Sequence, residues 1–241
     1  MIVLLTDFGF SEYVGVMKGV IYRFHEGAKI VDLCHDISPQ SVIEASWILK
    51  NNYMYFPAGA VFCCVVDPGV GTERKVLGVK ATNFYFVAPD NGLLWETLKE
   101  QENIDMRVIP VPEDASHTFH GRDVFAKAAA NIDQGGFDAL GPTTVEMQKL
   151  ELYRNDRVGT IVRIDRFGNI ITNLPHEGKK DYSVDVQDRR CCMDFYPNYE
   201  TAADDELFLI EGSCKTLEIS LKNGNANERL QIEIGSRIEI A

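Results

Sequence analysis

The sequence predicts an α/β protein in two parts: an amino-terminal α/β domain over residues 1–150 with a largely parallel sheet, and a smaller all-β, barrel-like domain over residues 158–241. Three observations carry that expectation. Short β-favouring apolar runs alternate with helical patterns through the first half, which is how parallel strands with helical crossovers read. From Gly141-Pro142 the composition turns polar and charged, as in a linker. Beyond it lie short alternating segments with no helical pattern between them, as expected of a small barrel.

Residues 2–5 form a first strand, followed by Thr6-Asp7-Phe8-Gly9. Ser11 caps a helix running to about residue 25, with Tyr13, Val16, Met17, Val20, Ile21 and Phe24 on one face. A strand over 29–34 ends in His35-Asp36-Ile37-Ser38-Pro39, and helix resumes over about 40–51. The central strand covers 60–64, an apolar run bounded by Gly59 and Pro68. A hairpin of 76–81 with 85–88 turns at Thr82-Asn83, a helix follows from 93 to about 101, and a small-residue helix spans 124–130. Residues 143–157 read as linker with at most a short helical turn. Strands follow over 158–164, 169–173, 182–186, 207–211, 216–221 and 230–240.

At 241 residues the chain can bury a sizeable core, and 45% hydrophobic with 25% charged residues is ordinary for a soluble protein. A formal net charge of -12 argues against a nucleic-acid binder, which must present Lys and Arg to phosphates, and against an anionic membrane surface. No apolar run approaches the roughly 20 residues of a membrane span, and no basic leader precedes the first strand. Six cysteines include the adjacent pairs Cys63-Cys64 and Cys191-Cys192, neither with CxxC spacing. They read as free thiols of a cytoplasmic protein.

Acids recur where strands end: Asp7, Asp36, Asp67 and Asp90. In open α/β sheets that rim is where ligands bind, although each acid alone also suits a turn or helix cap. Asp67 stands out, because Pro68, Gly69 and Gly71 force a tight turn after it and Arg74 follows close enough to fold back onto its carboxylate. His120 sits beside Gly121 at the mouth of a helix, where imidazole either meets a ligand or pairs with Asp123. In the second domain, Asp165-Arg166-Phe167-Gly168-Asn169 sets an acid, an aromatic and an amide around a glycine. Such a trio grips a planar heterocycle, and a hairpin turn explains the Gly and Asn equally. The chain lacks a phosphate loop, the GxGxxG fingerprint and HExxH, so nucleoside triphosphate, NAD and zinc readings fall. A hard cation held by Asp7, Asp67, Asp90 and His35 is the competing chemistry.

Six blocks in order, Thr6-Asp7-Phe8-Gly9, Asp32-Leu33-Cys34-His35-Asp36-Ile37, Val66-Asp67-Pro68-Gly69-Val70-Gly71, Pro89-Asp90-Asn91-Gly92-Leu93-Leu94, Phe119-His120-Gly121-Arg122-Asp123 and Phe167-Gly168-Asn169-Ile170-Ile171-Thr172-Asn173, closely resemble the S-adenosylmethionine hydroxide adenosyltransferase family, relatives of fluorinase and chlorinase. The resemblance implies hydrolysis of S-adenosylmethionine to adenosine and methionine without a cofactor or metal. It also implies a homotrimer with sites between one subunit's first domain and its neighbour's second. By resemblance Asp67, Arg74 and His120 are the catalytic set. Asp7 would meet the ribose hydroxyls and Asp165 the methionine ammonium. Phe167, Asn169 and the backbone near Leu221 and Asn223 would hold adenine, with Phe119 and Gly121 beside the reacting carbon. Ser213 and Glu218 match positions near the two ends of the substrate, and Tyr199 is an aromatic match. Glu211-Gly212-Ser213-Cys214 departs from the family's more usual run. A negative Asp67 facing the nucleophile favours water over halide. The rivals are a carboxylate-metal phosphoesterase and a non-catalytic adenosine or S-adenosylmethionine sensor.

Overall fold

β1 (Ile2–Thr6) and β3 (Val61–Val65) are buried along their whole length, which requires cover on both faces of their sheet. Strand alternation supplies two cores. Ile2, Leu4, Val61 and Cys63 pack with Val14, Met17 and Ile21 of α1 (Glu12–Phe24) and with Ala129 of α4 (Ala126–Asp133). On the opposite face Val3, Leu5, Phe62 and Cys64 pack with Ala45, Ile48 and Leu49 of α2 (Val42–Asn52) and Leu98 of α3 (Trp95–Leu98). The computed structural model describes residues 1–187 and 189–241, and these divide into two units, Met1–Glu151 and Leu152–Ala241.

In the first unit a seven-stranded sheet is completed by β2 (Ile30–Cys34), β4 (Val76–Lys80), β5 (Tyr85–Pro89), β6 (Asp105–Ile109) and β7 (Thr143–Thr144), in the order β2-β1-β3-β5-β4-β6-β7. The sheet is mixed: β2, β1, β3 and β5 run parallel, whereas β4, β6 and β7 pair antiparallel. The tight β4–β5 hairpin leaves no room for the crossover that parallel pairing needs. Helix α1 buries Val14, Met17 and Ile21, while Tyr13, Val16 and Phe24 of the expected apolar face are exposed. Its Ser11 donates its hydroxyl to the Phe8 carbonyl and does not cap the helix by side chain. The helix expected from 93 shortens to α3, and the one from 124 starts earlier, as a π-helical turn over Gly121–Phe125 leading into α4.

The second unit pairs its strands antiparallel in the order β11-β10-β14-β8-β9-β13-β12. These are β8 (Val158–Ile164), β9 (Ile170–Pro175), β10 (Asp181–Val186), β11 (Arg189–Asp194), β12 (Leu207–Glu211), β13 (Thr216–Leu221) and β14 (Arg237–Ile240). A bridge from Phe195, just past β11, to Leu209 of β12 brings the outer strands together, so the sheet is barrel-like and nearly closed. Its inward residues, among them Ile161, Ile170, Val184, Leu209, Ile219 and Ile238, form one core. The single strand expected over 230–240 is divided: α5 (Ala226–Leu230), capped by the Asn225 side chain, ends at Gln231 in the left-handed region (φ 54), and only β14 pairs. Among the described residues no helix is long and apolar enough to cross a membrane. Cys63 and Cys64 are buried thiols, and burial pushes the Cys63 thiol up to about 12.

Candidate active site

The loop after β3 reverses direction within a few residues. Val70 N–H donates to Asp67 O at 3.2 Å, Thr72 N–H to Gly69 O at 3.1 Å, and the Thr72 hydroxyl to the same oxygen at 2.7 Å. Gly71 has φ of 77 and lies against the His117 carbonyl so closely that a Cβ would overlap it, so this position requires glycine. The reversal returns Arg74 to Asp67: Nε lies 2.9 Å from Oδ1 and 3.0 Å from Oδ2, and Nη2 also donates to Oδ2. Both side chains are nearly buried, at 9% and 5% exposure. From β5's end Asn91 donates to the Val66 carbonyl at 2.9 Å, which steadies the peptide bearing Asp67.

Contact between the two loops brings in His120. Arg74 Nη2 lies 2.8 Å from His120 Nδ1; a guanidinium only donates, so Nδ1 accepts and the neutral ring carries its proton on Nε2. Burial lowers the His120 pKa from its ordinary value, the Arg74 charge adds to this, and Asp67 and Asp123 oppose it. Asp123 is engaged elsewhere: Arg122 holds its carboxyl at about 2 despite partial burial, and Ser116 N–H donates to it. The His120 ring is thus hydrogen-bonded to Arg74 and lies on the cavity wall.

Asp7, at the end of β1, joins them on one cavity of about 310 Å³ whose wall includes Asp7, Asp67, Phe119, His120 and Gly121. Arg74 stands behind Asp67, off that wall. Burial raises the Asp7 pKa and the Asp67 carboxylate adds to it, against the Gln40 N–H donated at 2.7 Å. Phe8, Tyr13 and Phe119 meet edge to face with centroids 5.0–6.0 Å apart and make the apolar side. Tyr13 and Gln40, both on the wall, were not among the expected site residues. Helical spacing had assigned Tyr13 to the core, and nothing local marks Gln40. Of the four groups that would hold a hard cation only Asp7 and Asp67 share the cavity wall: Asp90 accepts from Gln148 N–H at 2.7 Å and His35 contacts Thr6 and Asp32, while the fourth rim acid, Asp36, is exposed off that wall. Among the described residues no three His, Cys, Asp or Glu side chains are grouped to hold a metal.

The second unit carries its own pocket, of about 1110 Å³. Asp165 organises one wall: Oδ1 accepts from the Phe167 and Asn169 N–H groups at 2.9 Å each, and Oδ2 from Asn169 Nδ2 at 2.9 Å. This turn leaves Phe167 70% exposed. Tyr199, Ser213, Glu218, Leu221 and Asn223 complete the expected set around the same pocket, joined by Arg163 and Arg166, which were not expected. Gly212 makes room for the Glu218 carboxyl, which a Cβ there would overlap. Burial first, then the neighbouring Asp165 charge, raises the Glu218 pKa to about 7, with Arg163 opposing.

The buried carboxylate, guanidinium and imidazole of the α/β unit are the side chains of acid–base enzymes, and the barrel-like unit carries its own pocket lined by aromatic and amide groups. Comparison with known proteins gives the family. Residues 2–141 match the SAM hydroxide adenosyltransferase N-terminal domain and residues 159–239 the C-terminal domain of the same family, and the chain belongs to it. It is 39% identical to an (R)-S-adenosyl-L-methionine hydrolase of Methanocaldococcus jannaschii over 75% of this chain and 68% of that protein. It is 32% identical to one of Thermus thermophilus over 98% and 97%. A crystal structure of an uncharacterized conserved protein from Thermotoga maritima covers 100% of both chains, with a TM-score of 0.91 and 34% identity.

Proposed function

We propose that this chain hydrolyses S-adenosyl-L-methionine to adenosine and L-methionine by in-line attack of water on the ribose C5′ carbon. The observation that carries this reading is the single guanidinium of Arg74 reaching both Asp67 and His120 at a cavity that also holds Asp7. The sulfonium makes methionine a neutral leaving group, so the chemistry requires no acid on the departing sulfur. What the protein must supply is a water aligned behind C5′ and an acceptor for its proton. With His120 Nδ1 occupied by Arg74, the imidazole offers Nε2–H and orients the water oxygen, and Asp67 takes the proton. Arg74 acts through these two groups as a positioning residue.

Asp7 receives the ribose hydroxyls, with Phe119 and Gly121 beside C5′. Phe167 and Asn169 hold adenine together with the backbone near Leu221 and Asn223. Asp165 meets the methionine ammonium, and Tyr199, Ser213 and Glu218 line the same pocket. Acid–base groups lie on one unit and the groups suited to a heterocycle on the other; the family resemblance is what implies a homotrimer whose sites join one subunit's first unit to a neighbour's second. The cysteine usage fits a cytoplasmic enzyme.

Purified protein incubated with S-adenosylmethionine, separately as the (R) and (S) sulfonium epimers, tests this by chromatography. Adenosine and methionine in equal amounts, unchanged by EDTA, are expected; the relatives' names make (R) the favoured epimer. Ligand binding without product means a sensor, and activity lost to EDTA and restored by Mg or Mn means a metal enzyme.

A further inference from the structure

The block Asp32-Leu33-Cys34-His35-Asp36-Ile37 takes no part in the chemistry above, yet its imidazole is built into the end of β1. Thr6 is fully buried. Its Oγ1 accepts from Phe8 N–H at 3.3 Å and lies 2.8 Å from His35 Nδ1. His35 Nε2 is 3.1 Å from Asp32 Oδ1, a close contact outside hydrogen-bond geometry, and Asp32 Oδ2 accepts from Lys18 Nζ of α1 at 2.6 Å. A ring whose Nε2 faces a carboxylate keeps its proton there, so Nδ1 is the acceptor and the Thr6 hydroxyl donates to it. Burial pushes the Asp32 carboxyl up, and Lys18 and His35 outweigh it, holding it below its ordinary value. The chain of contacts thus ends on a charged pair.

Asp7 lies between the two residues this hydroxyl ties together, Thr6 and Phe8. The segment after His35 closes on it from the other side: Gly9 N–H donates to the His35 carbonyl at 2.8 Å, and Gln40 N–H donates to Asp7 Oδ2 at 2.7 Å. Gln40 does so from a φ of 65, a left-handed conformation that the loop imposes on a residue with a side chain. The loop is anchored in turn, since Ser38 N–H donates to the carboxylate of Glu44, which is 1% exposed.

We propose that His35 is a positioning residue for Asp7: through Thr6 and the loop that returns at Gln40, it fixes the direction of the Asp7 carboxylate in the cavity. The proposal rests on the reading that Asp7 receives the ribose hydroxyls. His35 does not itself touch the ligand. Its loss therefore weakens binding only as far as Asp7 is present and aimed.

The test is adenosine affinity by calorimetry for the parent, Asp7→Asn, His35→Leu, His35→Asn and the double variant Asp7→Asn/His35→Leu, with melting temperatures for each. His35→Asn offers a carbonyl oxygen near the Nδ1 position and is expected to keep near-parent affinity. His35→Leu is expected to lose roughly tenfold, the size of one or two hydrogen bonds, and nothing further once Asp7 is Asn. A merely structural role would instead lower affinity equally in both backgrounds. Where His35→Leu does not fold, Thr6→Val against Thr6→Ser makes the same comparison, because Val removes the hydroxyl at nearly constant volume. Asp7→Asn weakening binding while His35→Leu and Thr6→Val leave it unchanged would overturn the proposal and leave the ribose reading intact. Parent-like affinity in Asp7→Asn would overturn the ribose reading, and the proposal with it.

Discussion

Arg74 Nη2 donates to Asp67 Oδ2 and lies 2.8 Å from His120 Nδ1, so one nitrogen sets the geometry of both groups facing the cavity. Lysine cannot reproduce this, because its ammonium lacks the planar fork that meets two carboxylate oxygens together. Arg74→Lys is therefore expected to lower kcat by roughly a hundredfold, the lower range for a misplaced acid–base group, with a smaller change in adenosine affinity. Asp67→Ala should lose more while still binding adenosine, as read by calorimetry beside a single-turnover assay. Near-parent turnover in Asp67→Ala would remove the proton acceptor from the scheme.

The imidazole's role separates by amide substitution. Gln places a donor where Nε2–H sits, whereas Asn fills only the Nδ1 side. If His120 orients water through Nε2–H, His120→Gln retains more turnover than His120→Asn. Equal loss in both would remove Nε2–H as the group that orients the water. The same geometry sets the acid limb of the rate profile: with its pKa below the ordinary 6.5, the ring stays neutral through that value, and turnover should fall only at lower pH. An acid limb at or above 6.5 would contradict that environment.

Glu218 links the second unit's stability to pH. Its folded pKa of about 7 lies above the ordinary 4.5, so between those values the folded chain holds a proton that the unfolded chain has released. Its contribution is therefore most favourable below 4.5, declines as pH rises through that window, and is flat above about 7. Melting scans of ligand-free protein should show a downward slope in this range that Glu218→Gln reduces. His120 acts oppositely below 6.5, so the difference between the two proteins is the quantity to read. An unchanged slope in Glu218→Gln would show that Asp165 and burial do not hold the proton there.

Local signals carried part of this arrangement. Residues 60–64 were legible as a buried strand because the run is apolar and bounded by Gly59 and Pro68, and Arg74 lies within one short loop of Asp67. The His120 contact spans 46 residues and depends on how two loops abut at Gly71, which no local pattern encodes. Residues 230–240 alternate apolar and polar, so period alone favoured a strand; the Asn225 cap and the left-handed Gln231 decide otherwise. Asp90 looked like a rim acid from its strand-end position, and its partner proved to be the backbone of Gln148. The expected residues of the second unit gather on one pocket because β8, β9 and β13 are adjacent in the sheet, a consequence of topology that single segments do not display.

The proposed trimer, with its sites shared between subunits, gives a prediction that needs no structure of the complex. Asp67→Ala damages the half-site of the first unit, and Asn169→Ala that of the second, so each homogeneous variant should be inactive. After subunits are mixed in equal amounts and allowed to exchange, a site is intact when its first unit comes from an Asn169→Ala subunit and its second from an Asp67→Ala subunit. Random assembly makes that about one site in four, so roughly a quarter of parent turnover should return. Light scattering should give three times the monomer mass for all samples. If each site is built from one chain alone, every subunit in the mixture carries one damaged half, and no activity returns at any mixing ratio.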